Sequence, residues 1–318
     1  MEESHLFSKI KEAEKVEIVS LVDNSVDFLS TPLREEVKVF REWVKESFHH
    51  PIAEHGFSML IRVFDGDKAH SVLFDTGSSP RGIIVNARRM GIDLAEVEYV
   101  VLSHGHYDHF TGLPAVTKVI GKNNLPIMVH RDMFNRRGAI SSDGTIRKYP
   151  IFPSEGKVKP ARYVEVKQPC LIADDLILVT GEIPRKTPFE TGYPRHVAFV
   201  NGRWRSDPWI WDDRALVIKV EGKGLVVICG CGHAGVVNTI LYAQQLTSVE
   251  AVYAVLGGFH LAGRTFERRI NETVEELKRI SPKLLVSSHC TGWRANLAMF
   301  KTMPEAFIWN SVGNLYKL

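Results

Sequence analysis

The chain has 318 residues, 44% hydrophobic and 24% charged, and its 40 Lys and Arg against 37 Asp and Glu leave a formal charge of +3. A chain this long buries roughly three quarters of its unfolded surface and needs no disulfide to hold a core, and so small a charge leaves no electrostatic footprint for nucleic acid. No apolar run approaches the roughly 20 residues of a membrane span, the opening residues lack a signal peptide's apolar stretch, and 4 cysteines are too few for a secreted disulfide framework, so a reducing, cytoplasmic setting without membrane partners is expected.

In chain order, apolar β-branched runs predict strands at VEIVSLVDN (16–24), FSMLIRVF (57–64), HSVLFD (70–75), EYVVLSH (98–104) and LPIMVH (125–130). CLIADDLILVTGE (170–182), RALVIKV (214–220), GLVVICG (224–230), VYAVLGG (252–258) and KLLVSSH (283–289) follow. Val236, Val237, Ile240 and Leu241 mark a helix after Gly235. Phe266, Ile270, Val274 and Leu277 space another over 265–280, which Pro282 ends. Strands mixed with helices indicate an α/β or α+β layered fold. Residues 131–169 and 183–213, rich in Arg, Lys, Pro and Trp, read as loop insertions in a single domain spanning 1–318. They suit lids or binding loops, or else a packed surface or a homodimer contact.

The 13 histidines are not scattered evenly. His104, His233, His260 and His289 each end an apolar run, with glycine within three residues. Strand ends on one sheet edge converge on a crevice, so four such histidines suggest one shared site. The first expands into SHGHYDHFTGL (103–113), with His104, His106, Asp108 and His109 inside six residues. In an extended segment i and i+2 share a face, so His104 and His106 can grip one ion while Asp108 and His109 turn toward a second. Imidazoles with a carboxylate suit zinc first, with iron, manganese or magnesium also accommodated. His130 ends a strand and reads as structural. His5, His49, His50, His70 and His196 read as surface or loop residues, and His55, in AEHGFS, has no deducible role.

HGHYDH resembles the HxHxDH signature of the metallo-β-lactamase fold superfamily, with FDTG (74–77) upstream and SSHCTG near the end of the chain. LVDN (21–24), AEHGFSMLI (53–61), TGEIPR (180–185), CGCGHAG (229–235), GGFHLAG (257–263) and SSHCTGW (287–293) are further similar to its dihydropterin branch. That branch takes its name from 7,8-dihydropterin-6-yl-methyl-4-(β-D-ribofuranosyl)aminobenzene-5'-phosphate synthase. The resemblance implies a four-layer αββα sandwich with two divalent metal ions at one edge. It places His104, His106, Asp108, His109 and His289 as metal ligands and Asp75 as the carboxylate that orients the metal-binding loop. The usual third-motif histidine has no obvious counterpart, and CGCGH stands where a bridging aspartate is usual. His233 is expected to supply the missing imidazole, with Cys231 as a thiolate bridge and Glu182 as further candidates.

If the branch's reaction holds, a dihydropterin pyrophosphate condenses with a ribofuranosyl aminobenzene phosphate, a step toward a methanopterin-type cofactor. Asp108 and His260 are then the candidate catalytic groups. Arg185, Lys186, Arg195, Arg264 and Arg294 are candidates for binding phosphates, and Trp209 in WRSDPWIW for stacking the flat pterin. The alternatives are a metal-dependent hydrolase of a phosphodiester or ester and, without catalysis, a ligand-binding protein.

Overall fold

A computed structural model describes residues 10–32, 34–45 and 49–318. His5 lies outside them. Two eight-stranded sheets dominate. The first has the spatial order Arg162–Glu165, Pro126–Val129, Tyr99–Val101, Lys68–Phe74, Ser58–Asp65, Lys15–Val22, Leu315–Lys317, Val37–Lys38. The second runs Cys170–Ile172, Ile177–Val179, Ala215–Val220, Gly224–Cys229, Val252–Gly258, Leu284–Ser288, Phe307–Trp309, with Glu12–Ala13 paired to Ala215–Val220. The last strand of the chain thus returns to the first sheet.

Alternation along the strands sets the layers. Ile18, Met59, Ile61 and Val63 of the first sheet pack with Leu216, Ile218, Val226 and Ile228 of the second in one apolar cluster. The intervening Leu60 and Leu73 turn outward onto the helices Gly82–Arg89 and Leu113–Ile120. On the other side Val217, Leu225 and Val227 meet Val236–Thr247, Ile270–Ile280 and Trp293–Thr302. Each fully buried Leu, Ile or Val is worth about 1.5–3 kcal/mol relative to exposure, which favours this register over any one-residue slip. The result is a four-layer αββα sandwich.

Three local features differ from the sequence expectation. The run 170–182 is a hairpin, because Ala173, Asp174 and Asp175 take positive φ of 55°, 53° and 69° and split it into Cys170–Ile172 and Ile177–Val179. The helix expected over 265–280 begins at Ile270, after a 3₁₀ turn at Glu267–Arg269. The two arginine- and tryptophan-rich stretches pair with each other. Arg203–Ser206, His196–Val200, Arg136–Ile140 and Ile146–Lys148 form a third, four-stranded antiparallel sheet.

Candidate metal centre

The parallel strands of both sheets end at one edge, and the next residues carry the chemistry. Asp75 follows Phe74, Ser103 and His104 follow Val101, Cys231 follows Cys229, His260 follows Gly258, and His289 follows Ser288. Asp75, His260 and His289 hold φ of 60°, 43° and 49°, a conformation costly for non-glycine residues and concentrated at functional sites. Gly230 leaves the space that Asp75 and Ser103 need: a Cβ there would come within 2.8 Å of Asp75 Oδ2 and closer still to Ser103 Oγ.

Three imidazole nitrogens form a triangle. His104 Nε2 lies 2.9 Å from His106 Nδ1 and 3.2 Å from His233 Nε2, and His106 Nδ1 lies 3.1 Å from His233 Nε2. The other ring nitrogens fix the tautomers. Ser103 Oγ donates to Asp75 Oδ2 (2.6 Å), so it accepts from His104 Nδ1–H (2.9 Å). His196 Nδ1–H donates to the Asp207 carbonyl (2.8 Å), which leaves its Nε2 to accept from His106 Nε2–H at 3.0 Å. His104 Nε2 and His106 Nδ1 therefore turn bare lone pairs toward each other and toward His233. Burial, followed by neighbouring imidazoles, holds His104 and His233 well below the usual histidine range; burial, then His196 and Arg137, does the same for His106. The facing lone pairs of His104 and His106 need a positive partner between them, and His233, whose Nδ1 has no hydrogen-bond partner and leaves its tautomer free, completes a three-nitrogen set that fits a metal ion.

A second group adjoins the first. His109 Nδ1–H donates to Asp75 Oδ2 (2.6 Å), and its Nε2 lies 3.1 Å from Cys231 Sγ and 3.9 Å from Asp108 Oδ2. His289 Nδ1–H donates to Asn24 Oδ1 (3.2 Å), while the Asn24 amide donates back to the His289 carbonyl (3.0 Å). That leaves His289 Nε2 facing Asp108 Oδ2 at 3.2 Å. Burial pushes His289 down to about 4. Burial alone would raise Asp108, but His109, His289 and His55 hold it well below the usual carboxylate range. A neutral imidazole opposite an ionised carboxylate again fits a cation. Cys231 links the groups, its sulfur sharing one cluster with His104 and His109 and another with His289 and Cys290, all donor atoms within 4.8 Å.

The surroundings include residues to which the sequence assigned no role at the site. His196, read as a loop residue, is fully buried against His106. Asp212 receives the Gly105 amide (2.8 Å) and a two-pronged contact from Arg137 (2.5 and 2.9 Å), fixing the loop that carries His104 and His106. His55, with a side chain 60% exposed, brings Nε2 within 3.4 Å of Asp108 Oδ2. Asp23 and Asn24, in the LVDN motif, hold the backbone of His289.

Other expected site residues stand elsewhere. Glu182 contacts His130 (3.2 Å) and Lys167 (3.3 Å), away from both donor groups, because the turn after Val179 aims it at the strand end carrying His130. Arg185 donates to the carbonyls of Ile183, Trp209 and Ile210 and lies 4.8 Å over Trp211. Lys186 donates to Gln245, Arg294 pairs with Glu267, and Arg195 and Arg264 are exposed. Trp209 is 37% exposed and packs beside Gly192, next to the Tyr193 ring that lies over His233. His260 lies with its ring 4.1 Å from that of His233, and both its ring nitrogens are buried without a partner.

A family model of the metallo-beta-lactamase superfamily matches residues 52–244, more than half of the chain, and the chain belongs to that superfamily. It is 29% identical over 272 residues, 83% of this chain and 90% of the relative, to 7,8-dihydropterin-6-methyl-4-(beta-D-ribofuranosyl)-aminobenzene-5'-phosphate synthase of Methanocaldococcus jannaschii. An uncharacterized protein of the same organism is 30% identical over 83% of this chain and 93% of its own length. Among solved structures, Tm1679, described as a metal-dependent hydrolase of the beta-lactamase superfamily, superposes with a TM-score of 0.71 at 25% identity, covering 95% of this chain and 98% of Tm1679. The chain is a metal-dependent enzyme of this superfamily, which sets aside the non-catalytic alternative. No helix among the described residues is long and apolar enough to cross a membrane.

Proposed function

We propose that the chain holds two divalent cations and joins a dihydropterin pyrophosphate to a ribofuranosyl aminobenzene phosphate in the making of a methanopterin-type cofactor. His104, His106 and His233 would hold one cation, Asp108, His109 and His289 the other, with Cys231 between. The observation that carries the metal assignment is the pair of adjoining donor groups whose hydrogen bonds leave lone pairs facing inward. The mix of imidazole, carboxylate and thiol favours zinc, with iron or manganese next and magnesium last. The reaction is supported by the likeness to the M. jannaschii synthase over most of both chains. Four free cysteines agree with a reducing cytoplasm.

Bound divalent cations supply Lewis-acid stabilisation of charge on a departing pyrophosphate. The chain's own residues do the rest. Asp75 fixes His109 and, through Ser103, His104, so the donor groups are set before substrate arrives. Burial pushes His260 down to about 3, so near neutral pH it is an uncharged imidazole that donates one N–H to a substrate phosphate. Trp209 and Trp211, with ring centroids 6.4 Å apart and each partly exposed, offer flat faces for a pterin and cover against water competing for the same carbon.

The likeness to Tm1679, described as a metal-dependent hydrolase, supports hydrolysis as the second reading, with a phosphodiester or ester as the substrate we propose for it. One experiment separates the two: protein of measured metal content is incubated with the dihydropterin pyrophosphate, with and without the aromatic acceptor, and with bis-p-nitrophenyl phosphate. The synthase reading requires pyrophosphate release that depends on the acceptor. Rapid cleavage of the diester without such release overturns it in favour of the hydrolase.

A further inference from the structure

The third sheet brings two tyrosines and an arginine to the rim of the centre. Tyr149 directly follows Ile146–Lys148, and its ring stands 5.5 Å from His106 at 86° and 6.2 Å from His196. Tyr193 precedes His196–Val200, and its ring lies 6.5 Å from His233 at 14° and 5.7 Å from His260. Their backbones are anchored: Tyr149 N–H donates to the Arg137 carbonyl (2.8 Å) and Tyr193 N–H to the Pro208 carbonyl (2.6 Å). The Arg147 guanidinium sits 5.5 Å over the Tyr149 ring.

Packing alone does not account for this group. Both rings are half-buried and Arg147 is exposed. The Arg147 guanidinium stands over the Tyr149 ring and forms no ion pair with a carboxylate among the described residues. By contrast Arg185 is spent on backbone carbonyls and Arg294 on Glu267. Behind Tyr193, His260 offers two buried ring nitrogens without a partner. Two hydroxyls and a cation beside a cluster of metal-ligand-type side chains, to which His260 belongs with Cys231 and His233, form a set of donors suited to a multi-oxygen anion.

We propose that Tyr149, Tyr193 and Arg147 form a phosphoryl subsite at the rim of the centre, holding an anionic phosphoryl group of the substrate over His106 and His233. This rests on the reading that the substrate is phosphorylated. The third sheet is therefore the part of the molecule that selects the phosphorylated substrate, while the two large sheets carry the cations.

The test is calorimetric titration of inorganic phosphate into the metal-loaded full chain, comparing wild type with Tyr149→Phe, Tyr193→Phe and Arg147→Met. Each substitution should weaken phosphate binding about ten- to a hundredfold, since a charge-assisted hydrogen bond is worth about 1.5–3 kcal/mol and 1.4 kcal/mol is tenfold. Metal content and melting temperature should stay at the wild-type level, and under turnover KM should rise more than kcat falls. Phosphate affinity within twofold of wild type in all three variants, or no phosphate binding by the wild-type protein, overturns the subsite. Because binding is read without turnover, weakened phosphate binding in an enzyme that fails to condense the two substrates refutes the synthase reading alone. Normal condensation with unchanged affinities refutes the subsite alone.

Discussion

At the scale of single residues, the orientation of the ligand-type histidines is decided by atoms that never face the centre. His196 is the clearest case. Its Nε2 accepts from His106, and its Nδ1 is held by the Asp207 carbonyl, so that Nδ1 of His106 is left to point inward. Partners of this kind are worth 10–100-fold in metal affinity. His196→Phe should therefore weaken metal binding about 10–100-fold while leaving two ions bound at saturation, whereas His106→Ala should lose one ion outright. Titration against a chelator with metal analysis reads both; an affinity for His196→Phe equal to wild type would reduce it to a core residue. Cys231 poses a second question. Burial first, and Cys290 next, raise its thiol well above the usual range, and only a cation beside it would favour the thiolate. Cobalt-loaded wild-type protein should show near-ultraviolet thiolate-to-cobalt absorption that Cys231→Ser lacks; identical spectra would leave the second cation to Asp108, His109 and His289.

At the scale of elements, the third sheet is tied to the centre by a buried ion pair as well as by His196. Arg137 leaves the strand Arg136–Ile140 and grips Asp212, which in turn holds the amide of Gly105. Removing one partner strands a buried charge, at a cost of about 3–5 kcal/mol. Asp212→Ala should destabilise by that much in urea unfolding, and a loss below 1 kcal/mol would mean that Arg137 finds another acceptor. The pH dependence has a definite sign. Burial would raise the pKa of Asp212, but Arg137 outweighs it and the pKa falls below the ordinary 3.8. The stabilisation is therefore present above that value and is lost as pH falls below it. This connection is also where the sequence was least informative. The large sheets announce themselves through runs such as SMLIRVF and LVVIC, and the four strand-end histidines through the glycines beside them. RRGAI, IRK and RWRS carry too few apolar residues to show a period, because they form short strands of a small sheet with exposed arginines. His196, Tyr149 and Asp212 therefore looked like loop residues until pairing brought them to the centre. Glu182 misled for the opposite reason: it stands at about the right place along the chain, but one tight turn aims it at His130.

At the scale of the whole molecule, the centre is a joint between two sheets. His104, His106, Asp108 and His109 come from a strand end of the first sheet, while Cys231, His233 and His289 come from strand ends of the second. Cations shared among them would cross-link the two halves at the edge where the apolar core gives way to polar groups. Ligand binding to the native state adds about 4 kcal/mol at a free concentration a thousandfold above Kd, so chelation should lower the melting temperature. The location of the loss is more telling than its size. Ser20, Asp23, Asn310 and Tyr316 form a buried hydrogen-bonded set near the return strand, and the inter-sheet core of Ile61, Phe74, Leu216 and Ile228 is apolar; neither depends on metal. Chelation should leave amide protection in Ser58–Asp65 and at 224–228 near its holo level. Exchange should rise at 103–110, at 229–235 and at 287–292 together, because removing the shared cations frees lone pairs that then repel across the joint. Faster exchange at 103–110 with 229–235 and 287–292 unchanged would show that the first sheet alone holds the cations, and that the donors gathered from the second sheet serve only its own packing.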